Sequence, residues 1–149
     1  MEKRIIDFLQ GQRVATICCV DDEGKPYSFS CFYAFDVEGQ LIYFKSSPTT
    51  HHAIFLNQRP FVSGTIQQDR LNPLAIKGVQ FIGEVLNGNK DLPQRAPNFY
   101  HKKYPLALAV PGETWTIQVD MIKMTDNTLS FGKKLVWQRK KPQESVQTG

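Results

Sequence analysis

Between residues 27 and 35 the chain alternates without a break, with Tyr27, Phe29, Cys31, Tyr33 and Phe35 on one side and Ser28, Ser30, Phe32 and Ala34 on the other. Successive side chains of a β-strand point to opposite faces, so this period of two excludes a helix and gives the strand an aromatic face for a core. The flanks are turn formers, Asp21-Asp22-Glu23-Gly24-Lys25-Pro26 before it and Glu38-Gly39 after it. They join it by hairpins to apolar runs at 13–20 and 41–45, an antiparallel meander of three strands. The run Val-Ala-Thr-Ile-Cys-Cys-Val within 13–20 is apolar on both faces, as expected of a central strand covered on one side by the core and on the other by a helix or a partner subunit.

The rest of the chain continues in strands. Residues 2–10 place Ile5, Ile6, Phe8 and Leu9 at helical spacing and stop at Gly11, which predicts a short amphipathic helix. A second helix is expected over 49–57, ended before Pro60, and a third over 98–103 carrying Phe99 and Tyr100. Strands are expected at 61–66 and around Val79, Phe81, Gly83 and Val85, with an irregular loop at 67–76 between them and Asn87-Gly88-Asn89 closing the second. A long last strand sets Trp115, Ile117, Val119 and Met121 on one face and Thr116, Gln118 and Asp120 on the other, and Asp126-Asn127 turns it into an extended piece at 128–131. Another short extended piece follows at 135–137. Six or seven strands joined mostly by hairpins predict a mainly β protein, an antiparallel closed barrel with a few short helices.

A chain of 149 residues suffices for one core, placed at 1–139, with 140–149 a polar tail lacking aromatic residues and expected to be disordered. Of 18 basic and 14 acidic side chains, residues 133–149 hold five and one, so the body is balanced at 13 each and the net +4 sits at the end. Without a basic stripe on the body to continue it, this reads as a solvated tail and not as a nucleic-acid surface. Cysteines 18, 19 and 31 are odd in number and lie in apolar runs, which argues against a disulfide framework and for a reducing cytoplasm. No stretch approaches eighteen uncharged residues, so no membrane span is expected. Metal binding is disfavoured because neighbouring Cys18 and Cys19 face opposite sides of a strand and the His51-His52 pair diverges by about 100° on a helix.

Chemistry concentrates where the third strand ends, in Lys45-Ser46-Ser47-Pro48-Thr49-Thr50-His51-His52. Ser47-Pro48 reads as an N-cap with proline at the first helical position, so free backbone N–H groups and the positive end of a helix dipole gather hydroxyls and imidazoles around an anion site. The same residues serve equally as an ordinary helix cap, a solvated lysine and surface histidines.

The order helix, Val-Ala-Thr-Ile, Asp-Glu-Gly-Lys-Pro, Leu-Ile-Tyr-Phe-Lys-Ser, a Ser/Thr-rich helix start and Asn-Gln-Arg-Pro-Phe-Val resembles the flavin-binding split-barrel superfamily that includes pyridoxamine-phosphate oxidase. The closing Phe131-Gly132-Lys133-Lys134-Leu135-Val136-Trp137-Gln138-Arg139 is similar to the small bacterial YhbP-like group. The resemblance covers nearly all of residues 1–139. It implies a homodimer with FMN lying in grooves between subunits, a small-molecule ligand and, by extension, a flavin-dependent oxidoreductase. The alternative is a non-catalytic split barrel that holds another phosphate-bearing ligand or has lost the flavin. It implies that the phosphate meets the turn and helix after the third strand, with Ser46, Thr50 and His52 at the positions of the family's Thr, Ser and Lys. His52 thus stands for a permanent cation with a group mostly neutral at pH 7, since its reference pKa is about 6.5. Ser47 belongs to the same turn, and Lys45 and His51 are substitutes for the missing charge. Trp137 and Arg139 look like the C-terminal aromatic and basic residues that some relatives place against the neighbouring subunit's flavin; Trp137 equally could seal the barrel. No residue is assigned as a catalytic acid, base or nucleophile.

Overall fold

The computed structural model describes residues 1–86, 95–130 and 133–142. Seven strands run in the order β3-β2-β1-β4-β5-β6-β7, with a further β3–β6 pairing that closes the first six into an antiparallel barrel and leaves β7 as an added strand. They are β1 (Val14–Val20), β2 (Pro26–Asp36), β3 (Leu41–Ser46), β4 (Phe61–Gln67), β5 (Lys77–Val85), β6 (Glu113–Asp126) and β7 (Lys134–Gln138). Three helices, α1 (Lys3–Gly11), α2 (His51–Gln58) and α3 (Arg95–Lys103), and a 3-10 turn at Pro105–Ala109 complete the described residues. Among these, no helix is long and apolar enough to cross a membrane.

The hairpins expected at 21–26 and 38–39 pair β1 with β2 and β2 with β3, and β1 is central, flanked by β2 and β4. Its second face is only partly covered within the single chain. Ala15, Ile17 and Cys19 point into the core, whereas Val14 keeps 43% of its surface exposed within the single chain. Inside the barrel Tyr33, Phe35, Ile42, Phe44, Phe81 and Trp115 pack with Ile17, and α1 adds Ile5, Phe8 and Leu9. The Tyr33 hydroxyl, buried in that apolar space, donates to the Leu9 carbonyl at 2.6 Å, so the helix is held by both packing and a hydrogen bond.

The long strand β6 serves three neighbours. Residues 113–118 pair with β3, 117–126 pair with β5, and 121–125 pair with β7. A bulge opposite the step from Ile82 to Gly83 shifts its phase, so the inward positions are Trp115, Ile117 and Val119, then Ile122 and Met124. Met121, expected on the inward face, is therefore displaced to the outside; an extra residue in one strand turns every later side chain over. The turn expected at Asp126-Asn127 is present, but residues 128–130, expected to begin an extended piece, belong to the same turn around Asp126. Asn87-Gly88-Asn89, Pro93, Phe131 and the tail from 143 lie outside the described residues, while Lys140, Lys141 and Pro142 are exposed.

A second, smaller apolar cluster lies outside the barrel. Ala96 and Tyr100 of α3 cover Ala34 and Tyr43, and polar ties fasten the helix at each end. Arg95 donates to buried Asp36 at 2.7 Å, and Asp36 also accepts from Tyr43 at 2.8 Å. At the other end Lys103 donates to the carbonyls of Gln12 and Tyr33 at 2.7 and 3.3 Å. Fixing α3 in this way places its C-terminus and the 3-10 turn beside the end of β3.

Candidate functional site

The strand-to-helix junction is built as a chain of hydroxyls. The N-cap of α2 is Thr50, not Ser47: its Oγ1 accepts from the Ala53 N–H at 3.3 Å, and Pro48 sits in the preceding turn. Among the described residues no side chain accepts from the N–H groups of the first helical positions, His51 and His52, which helix geometry leaves without an intrahelical partner. Thr50 donates its own proton to the Ser47 carbonyl at 3.0 Å, and Ser46 Oγ lies 2.6 Å from His52 Nε2 and 3.4 Å from Thr50 Oγ1. The His52 ring lies flat on Phe29, centroids 3.8 Å apart and planes within 10°. Burial pushes its pKa below the usual histidine value, so the imidazole is neutral at pH 7.

Beside this junction opens a groove of about 680 Å³. Its polar end is Lys45, Ser46 and Ser47; its floor is Ser30, Cys31 and Phe32 of β2; its far wall is Tyr100, Tyr104 and the 3-10 turn with Leu106 and the following Val110. Among the described lining residues Lys45 is the one charged side chain. Its ammonium donates to the Ala107 carbonyl at 2.7 Å and meets His101 Nε2 at 3.0 Å. His101 Nδ1 lies 2.7 Å from the Pro97 carbonyl, which can only accept, so Nδ1 carries the proton and Nε2 accepts from Lys45.

The structure thus brings Lys45, Ser46, Ser47 and Thr50 together, and joins His52 to them through Ser46. His51 is exposed, its ring 6.3 Å from Phe55. Within one chain Trp137 and Arg139 are not at this junction. Arg139 donates to the carbonyls of Val119, Gly39 and Gln40, at the opposite end of β3 from Ser46, and its guanidinium lies 5.8 Å from the half-buried Trp137 ring. Trp137 packs against the barrel core.

His101 and the aromatic wall escaped the sequence reading, because 56 residues separate His101 from Lys45 and nothing local links them. One signal was present: Phe32 is the large apolar residue on the small face of β2, 55% exposed and 5.6 Å from the Tyr104 ring. Among the described residues no group of three or more His, Cys, Asp or Glu could hold a metal ion.

No family model matches the chain. Similarity to individual proteins is more informative. The protein of Escherichia coli O127:H6 named UPF0306 protein YhbP is 38% identical over 135 residues, 89% of this chain and 94% of that one. Among solved structures, a heme binding protein from Mycobacterium smegmatis superposes with a TM-score of 0.73 at 16% identity, over 93% of this chain and 59% of that one. An FAD-binding protein from Mesorhizobium loti does so with a TM-score of 0.63 at 17% identity, over 85% and 95%. Those two likenesses establish the split-barrel fold, and the sequence identity over nearly the whole length establishes the family: this chain belongs to the UPF0306 family of YhbP.

Proposed function

We propose that the protein binds FMN in the groove beside the β3–α2 junction, and does so as a homodimer. The observation that carries this reading is the polarity of the groove. Apolar and aromatic walls run for most of its length and end at one ammonium and two hydroxyls beside a helix N-terminus. A planar aromatic ring with a phosphate tail matches both parts: the ring removes apolar surface from water, and the phosphate takes charge-assisted hydrogen bonds. Lys45 would exchange the Ala107 carbonyl for the phosphate, and Ser46 and Ser47 would donate to it. When bound, a flavin supplies redox chemistry of its own, so an oxidoreductase activity would need from this chain binding, orientation and exclusion of water.

Haem is the competing planar ligand, and the side chains favour flavin over it. Haem iron takes an axial ligand from the protein. His52 Nε2 is engaged with Ser46, both nitrogens of His101 are engaged, and His51 is outside the groove lining. Burial pushes the Cys31 thiol up to about 12 and raises the phenols of Tyr100 and Tyr104, so each is held protonated.

The dimer rests on the open face of β1 and β2, where Val14 and Phe32 face each other across the strands and are 43% and 55% exposed. In that assembly Trp137 is the better candidate to reach a neighbour's ligand, because the Arg139 donors are already engaged. Titrating the protein with FMN, riboflavin and haemin tests the reading. FMN fluorescence should be quenched at one equivalent per chain, and Lys45→Ala should weaken FMN about tenfold or more while leaving riboflavin unchanged. A wild type that binds no flavin, or that takes haemin in preference with a Soret band, overturns it.

A further inference from the structure

We infer that His52 acts on the groove's anionic ligand through Ser46, as a positioning residue that turns the Ser46 hydroxyl toward the anion, without touching the anion itself. The inference rests on the flavin reading above and assigns this histidine a different task from the lysine whose place it takes.

The argument begins with proton counting. Thr50 has one hydroxyl proton, and it goes to the Ser47 carbonyl at 3.0 Å while its oxygen accepts from Ala53 N–H. In the 3.4 Å contact between Ser46 and Thr50, Thr50 therefore cannot be the donor. The partners left for the Ser46 proton are His52 Nε2 at 2.6 Å, or the long contacts to Thr50 Oγ1 and the Ser47 carbonyl, both 3.4 Å. If Ser46 donates to His52, its lone pairs face the groove and repel an anion. If His52 carries its proton on Nε2 and donates, the Ser46 proton is held only by contacts at the outer limit of hydrogen bonding and is free to turn to the anion. A phosphate brings acceptors, so its arrival selects the second tautomer. The imidazole can switch because either ring nitrogen can carry the proton.

Two further observations place His52 behind Ser46. Ser46 lines the groove and His52 does not. The imidazole is clamped face to face on Phe29, which fixes the direction of Nε2. Its lowered pKa fits a neutral donor, with Lys45 supplying the charge nearby.

The test compares FMN with riboflavin, which lacks the phosphate, by fluorescence titration. His52→Phe keeps an aromatic ring on Phe29 and removes the donor, and should lower the FMN-to-riboflavin affinity ratio about tenfold or more. Ser46→Ala should lose as much, and the two substitutions together should lose no more than either alone. His52→Gln, whose amide donates at similar reach, should recover most of the ratio, and the shorter His52→Asn should not. The Gln and Asn pair decides the matter if the Phe variant fails to fold. An unchanged ratio in His52→Phe, an equal loss of both ligands, or losses that add in the double variant overturns the inference while leaving the flavin reading intact. A wild type that binds flavin with no preference for the phosphate does the same. A wild type that binds neither flavin overturns both.

Discussion

Asp126 shows how much one side chain can hold at the end of a strand. It is 1% exposed and accepts from the Thr128 N–H at 2.9 Å, from the Thr128 hydroxyl and from Arg4 at 3.3 Å. Burial alone would raise its pKa, but the Thr128 hydrogen bonds and the charges of Lys77 and Arg4 outweigh burial and hold the carboxyl below its ordinary value. A folded pKa below the unfolded one means the unfolded chain binds the proton more readily. The stabilisation is therefore complete above the unfolded value, about 3.9, and is lost as pH falls through the lower folded value. Asp126→Asn should cost about 1–3 kcal/mol at pH 7, most of it from the hydrogen bonds because Arg4 is half exposed, and the difference from wild type should shrink in denaturant titrations below about pH 4. At this scale the sequence named the site's polar end well. Ser46, Ser47 and Thr50 are close in the chain, and a strand end followed by a helix start brings such neighbours together whatever the rest of the fold does. It misplaced the cap, on Ser47 where the structure has Thr50, because one turn of backbone decides which hydroxyl reaches the first helical amides.

For the elements, periodicity worked where a strand is straight and failed where it is bulged. In β2 the alternation was visible and correct, and in β6 it held as far as Val119 and then reversed. The bulge is permitted by Gly83, where an added Cβ would lie 2.5 Å from the Gln118 carbonyl oxygen and 2.7 Å from an Ile117 methyl. Backbone crowds the first contact, so the strand itself must move to admit a side chain. Gly83→Ala should cost about 1–3 kcal/mol in chemical denaturation, and a stability equal to wild type would show that the strands separate freely there. Nothing in the residues of β6 announces the bulge, since its cause lies in the partner strand.

For the whole molecule, closing β3 on β6 makes the core, and docking α3 with its 3-10 turn outside the barrel makes the groove. The unpaired face of β1 sets the remaining question of assembly. Val14→Asp places a charge on that face at a residue that does not itself line the groove and should convert a dimer to a monomer by light scattering at micromolar concentration; a wild type already monomeric removes the dimer. The sequence by itself determined the strands, the hairpins, the three short helices and the polar cluster after β3, because each depends on side chains within a few positions of one another. Only the tertiary structure decided the phase of β6, the meeting of Lys45 with His101, and the apolar walls that turn an ordinary helix cap into one end of a groove. These are contacts between segments distant in the chain, fixed by barrel closure and helix docking, and no local pattern of residues encodes them.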